Sequence, residues 1–145
     1  MQLTEHFTLE EMTRSSAATR KSIDNTPTPE ITENLRLLCE KVLEPLRSSS
    51  ENAIRVTSGY RCEKLNKLIG GAKNSHHVKG MAADITEDSW TVEDLFQKIK
   101  NSDLKWTQLI QEFSEWTHVS YDPNDLKCEC LRATKVNGKT VYTKA

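Results

Sequence analysis

The segment Ser75-His76-His77-Val78-Lys79-Gly80-Met81-Ala82-Ala83-Asp84 sets an imidazole and a carboxylate on either side of a glycine, at a spacing that lets both reach one point. Two readings of these residues are open. One is a solvated loop running into a strand with a single polar residue; the other is a metal site. Asp84 favours the second, because Met81, Ala82, Ala83 and Ile85 around it would desolvate a carboxylate, which then needs a cation or several hydrogen bonds. His118 offers a third donor. In Trp116-Thr117-His118-Val119-Ser120 the two-residue period of a strand sends Trp116, His118 and Ser120 to one face and Val119 to the core. Two imidazoles and a carboxylate, in the order His77, Asp84, His118, suit one Zn2+ and leave a fourth position for the water of a catalytic site. Of the four histidines, His6 and His76 lie outside this set.

These donors must be positioned by strands and helices, and the chain has signals for both. Thr8-Leu9-Glu10-Glu11 has the form of a capping box and predicts a short helix. Arg14 to Thr28 is polar and turn-rich and reads as an extended surface segment. Thr28 and Pro29 then open the longest helix, with Ile31, Leu35, Leu38 and Val42 on one face. Pro45 should end or kink it. A half-buried strand is expected over Ala53 to Ser58, a short helix over Glu63 to Ile69 closed by Gly70-Gly71, and a strand from Met81 to Ile85. A further helix starts at Thr91-Val92-Glu93-Asp94, and Gln108 to Phe113 and Trp116 to Tyr121 are two strands joined near Ser114 and Glu115. Asn137-Gly138 suits the turn of a C-terminal hairpin between residues 133–136 and 140–142. Together these elements predict an α+β domain, with helices packed on a small, mostly antiparallel sheet.

Composition narrows the function. At 145 residues the chain suits a single domain, 1–145, and Lys plus Arg total 20 against 21 for Asp plus Glu, a net charge of -1. No broad positive field would hold a nucleic-acid backbone. No apolar run approaches the roughly 20 residues of a membrane span, and the N-terminus does not read as a secretory signal. A protein that stays in the reducing compartment where it is made, and a monomer, is the expectation. The four cysteines, Cys39, Cys62, Cys128 and Cys130, do not form a disulfide framework, and Cys128-Glu129-Cys130 lacks the second ligand pair of a thiolate zinc site.

The motif Ser75, His77, Gly80, Ala82, Asp84 resembles the Ser-x-His-x-x-Gly-x-Ala-x-Asp signature of the zinc D-Ala-D-Ala carboxypeptidases, peptidase family M15, which include phage endolysins. Phe7-Thr8-Leu9-Glu10-Glu11, Asn25-Thr26-Pro27, Val56-Thr57-Ser58-Gly59-Tyr60-Arg61, Leu65-Asn66, Gly70-Gly71 and Trp116-Thr117-His118-Val119-Ser120 are similar to its short phage and gut-bacterial subfamily. The likeness spans a core of about residues 5–122 and leaves 123–145 as an extension. It implies a Hedgehog/DD-peptidase-like fold and one zinc held by His77, Asp84 and His118. It also implies that Arg61 and Ser75 orient substrate and that Arg61 stabilises a developing oxyanion. The substrate implied is a peptidoglycan peptide, cut as a carboxypeptidase or an endopeptidase, with release through a phage holin as one route to the cell wall.

A carboxylate must also act as general base. Glu115 lies three positions before His118, matching the Glu-x-x-His spacing of many family members, and is preferred; Glu112, in Gln108-Leu109-Ile110-Gln111-Glu112-Phe113, is the alternative. Two other classes of function stay open at this stage. One is a zinc module without catalysis that binds peptidoglycan or a protein, which Glu115 and Arg61 argue against. The other is a metal-free structural domain, which requires His77, Asp84 and His118 to lie far apart.

Overall fold

The first three helices each begin at a side-chain cap. The computed structural model describes residues 1–145. In α1 (Leu9–Thr13) the Thr8 hydroxyl accepts from the Glu11 amide while the Glu11 carboxylate accepts from the Thr8 amide, the reciprocal pair its sequence predicts. A second short helix, α2 (Ser16–Arg20), occupies part of the segment expected to be extended. Ser15 caps it, its hydroxyl accepting from Ala18. Local polarity hid a helix that needs only this cap and two alanines.

Thr28 caps α3 (Pro29–Leu38), but Pro45 does not end the helical run. A π turn over Cys39–Leu43, closed by the Glu44 amide on the Cys39 carbonyl, shifts the hydrogen-bond register, and α4 (Glu44–Ser48) follows with Pro45 in its first turn. There the missing proline N–H costs no intrahelical bond. The run carries Leu35, Leu38, Val42 and Leu43 into the core.

Six strands form one sheet in the order β1-β2-β4-β3-β5-β6: β1 (Ile54–Ser58), β2 (Ala82–Glu87), β3 (Gln108–Glu112), β4 (Trp116–Ser120), β5 (Glu129–Val136) and β6 (Lys139–Lys144). All neighbours are antiparallel except β3 and β5. The fold is α+β, as expected. The C-terminal hairpin forms, with Asn137 and Gly138 both at positive φ in its turn. It continues the main sheet.

Because residues opposite one another in a ladder share a face, the register sorts the sheet into two surfaces. Ala83, Ile85, Leu109 and Val119 lie on the covered face and pack with Leu95, Phe96 and Ile99 of α6 (Val92–Lys100) in the main core. The other face carries a row that crosses four strands, Asp84 opposite His118, His118 opposite Ile110, and Ile110 opposite Leu131. One step along lies a second row, Trp116, Glu112, Ala133 and Tyr142. No helix is long and apolar enough to cross a membrane. All four cysteines are free thiols.

Candidate metal centre and cleft

Two backbone features bring His77 to the row of Asp84 and His118. After α5 (Glu63–Leu68) the chain enters a 3-10 turn over His76–Lys79, capped by the Ser75 hydroxyl, which accepts from the His77 amide at 3.1 Å. Gly80 closes it at φ +71°, with Ile31 so near that a Cβ would fall 2.7 Å from the Ile31 Cγ2. Only glycine meets both conditions, and the chain can then turn directly into β2. On the other side, β1 has an irregular register between Val56 and Ser58, next to Asp84. This turns Gly59 under the His77 ring. Gly59 itself presses on α1, where a Cβ would fall 2.2 Å from the Met12 carbonyl oxygen.

The three donors converge. Asp84 Oδ1 lies 3.3 Å from His77 Nε2 and 3.1 Å from His118 Nδ1, and one donor atom from each residue falls within 4.8 Å of the others. The edge of a tetrahedron with bonds of about 2.0–2.1 Å to zinc is about 3.4 Å. All three side chains are buried, with His77 only 2% exposed. On the far side of its ring, His77 Nδ1 donates to the Gly59 carbonyl at 2.7 Å. A carbonyl only accepts, so Nδ1 holds the proton and the Nε2 of a neutral ring turns a lone pair toward the Asp84 carboxylate. Two acceptors facing at that distance require a second ring proton or a shared cation. The donor set, its spacing and its outer carbonyl all fit zinc.

Burial would raise the Asp84 pKa, but the His118 and His77 rings, when protonated, outweigh it and hold the carboxyl far below its ordinary value. Glu112 behaves oppositely. Burial pushes it up, Asp84 adds to the rise, and His118, the Trp116 N–H and Arg61 only partly offset it. Its Oε1 lies 3.7 Å from His118 Nδ1.

A cavity of about 640 Å³ opens over this face, lined by Arg61, Ser75, His76, His77, Asp84, Glu112 and His118 among others. Six of the seven site residues named from the sequence therefore meet in one cleft. Glu115 does not. It sits exposed in the turn between β3 and β4 and is absent from the cavity lining. Strand parity explains the difference in position: Glu112 stands directly opposite Trp116 and two residues from Ile110, on the face of His118, whereas Glu115 precedes the strand.

Arg61 is held by its amide, which donates to the His77 carbonyl at 3.1 Å, and its Nε is buried without a partner. Burial lowers its pKa, and the charges of Asp84 and Glu112 work against that fall. His76, adjacent to the ligand, also lines the cleft, and its pKa is lowered by burial and then by His118. Leu131, Lys135, Thr140 and Tyr142 of the C-terminal hairpin form one side of it, which no motif in the chain signals.

The family model for peptidase M15 matches residues 5–120. The chain belongs to the peptidase M15 family. This M15 chain is matched by none of the curated proteins. Its match contains all three metal-site residues, Arg61, Ser75 and both glutamates, and stops before the hairpin that walls the cleft.

Proposed function

We propose that this M15 protein is a zinc-dependent peptidase that hydrolyses peptide bonds of bacterial peptidoglycan stem peptides, as a D-Ala-D-Ala carboxypeptidase or an endolysin-type endopeptidase. The observation that carries this reading is the His77, Asp84, His118 cluster beside Glu112 and Arg61 at the floor of an open cleft. A zinc ion bound there supplies Lewis acidity and brings the pKa of water to about 7.

The chain's own groups divide the remaining work. Glu112 is the general base: its raised pKa suits it to take a proton from the attacking water and to hand it to the departing amine. Arg61 turns its guanidinium, with one N–H unanswered, toward the carbonyl oxygen as that atom gains charge. The Ser75 oxygen already accepts from the His77 amide, which leaves its hydroxyl proton free for a substrate carbonyl. Gly59 fixes the orientation of the His77 ring through Nδ1. All 145 residues act in this reading as one domain and one monomer. It is made in the bacterial cytoplasm and reaches the wall after phage- or holin-mediated release.

The alternative, a zinc module that binds without cutting, is disfavoured by the half-buried Glu112 carboxylate placed beside the metal donors. Incubation with purified muropeptides, with and without a chelator, followed by mass spectrometry, tests the proposal. Chelator-sensitive loss of a D-Ala or of a cross-link supports it; intact peptides at high enzyme concentration refute it.

A further inference from the structure

Lys135, on the hairpin wall of the cleft, has no carboxylate of its own chain to answer its charge. Its Nζ donates to the Thr140 hydroxyl at 3.0 Å, stands 5.1 Å over the Phe113 ring, and forms no ion pair. The acids lining the cleft are engaged elsewhere. Asp84 is held between His77 and His118, and Glu112 stands beside His118 with Arg61 as its neighbouring cation.

The wall is fixed in place rather than loosely appended. On the reverse face of β5, Arg132 Nη2 donates to Glu93 Oε2 of α6 at 2.8 Å, and its guanidinium lies over Phe96. Five residues of β5 pair in parallel with β3, the strand that carries Glu112. Lys135 and Thr140 face each other in the ladder two residues beyond Ala133 and Tyr142, and Ala133 is opposite Glu112. A peptide lying along the cleft from the metal donors past Glu112 would therefore meet Tyr142 and then Lys135.

We propose that the hairpin is a specificity wall and that Lys135 binds a carboxylate which the substrate peptide carries away from the scissile bond. This rests on the peptidase reading above and adds a substrate class to it: acidic peptides with a free non-terminal carboxylate, a group that stem peptides provide. Tyr142 offers the adjoining flat surface. An ammonium held by a hydroxyl and an aromatic ring keeps donors free for such a group.

The test uses stem-type peptides in which each non-terminal carboxylate is free or converted in turn to the carboxamide. Wild-type protein should prefer at least one acid over its amide by about five- to tenfold in kcat/KM, the range for a charged hydrogen bond near solvent. Lys135→Met should bring that ratio close to one, and Lys135→Arg should restore most of it. Calorimetric titration of the same pairs into the Glu112→Gln protein reads the preference without turnover. If wild-type protein cuts no peptide, the peptidase reading fails, and calorimetry still decides the wall. An acid-to-amide ratio near one in both the wild-type kinetics and the Glu112→Gln calorimetry, or a preference that survives Lys135→Met, overturns the inference.

Discussion

His77 Nε2 and Asp84 Oδ1 face each other at 3.3 Å while the opposite nitrogen of the same ring donates to the Gly59 carbonyl. The geometry of a neutral ring makes both facing atoms acceptors. A cation between them turns a repulsive arrangement into a binding site, and His118 completes it from the next strand. Chelation should therefore destabilise the protein as well as inactivate it. With zinc at about a hundredfold over its dissociation constant the ion adds about 2.7 kcal/mol, so EDTA should lower the melting temperature by about 5–10 °C in differential scanning fluorimetry. An unchanged melting curve would show that no ion is held by the folded state.

Glu112→Gln should keep zinc and lose about 10²- to 10⁴-fold in kcat, the usual contribution of a general base. Glu115→Ala, in the exposed turn, should turn over like wild type. Steady-state assays with metal content measured on the same samples check both; the reverse pattern would return the base to Glu115.

Much of this site could be read from residue order, for reasons that also mark where such reading stops. His118 was legible because a strand alternates, and Val119 is fully buried behind it as that alternation requires. Asp84 was legible because a carboxylate among small apolar residues needs a counter-charge. The choice between Glu112 and Glu115 turned instead on which face of β3 looks into the cleft, and Ile110 on that face gave no polar cue. The hairpin turn at Asn137-Gly138 was local and visible. Its docking depends on parallel pairing of β5 with β3, a contact between segments about 20 residues apart with no signature in either. Pro45 misled because a π turn two residues earlier resets the register in which its missing N–H would have mattered.

Gly80→Ala tests the turn that delivers His77. The left-handed conformation costs a non-glycine residue about 1–2 kcal/mol, and the new methyl would also press on Ile31. The expected result is a lower urea midpoint together with weakened zinc binding. Loss of stability with full zinc affinity would separate the turn from the site.

The clamp between Arg132 and Glu93 gives the hairpin a pH dependence. The Arg132 guanidinium, with help from Gln97, holds the Glu93 pKa at about 2, well below its ordinary 4.5. A depressed carboxylate stabilises the folded state above its unfolded pKa, and that contribution disappears as pH falls from about 4.5 toward about 2. Amide protection in β5 and β6, measured against the intrinsic exchange rate at each pH, should therefore fall across this window in wild type. In Glu93→Gln it should be lower already at neutral pH and change less on acidification. Equal acid sensitivity in the two proteins would assign the effect to other carboxylates.

If His77, Asp84 and His118 hold one zinc ion on which peptide hydrolysis depends, metal and activity must be lost together. Elemental analysis of the purified protein and of Asp84→Ala, run beside mass spectrometry of muropeptide digests from the same preparations, measures both at once. The expected result is about one zinc per wild-type chain with hydrolysis, and neither in the variant. A metal-free preparation that cuts peptides at full rate, or an Asp84→Ala protein that keeps both zinc and activity, would rule the metal centre out.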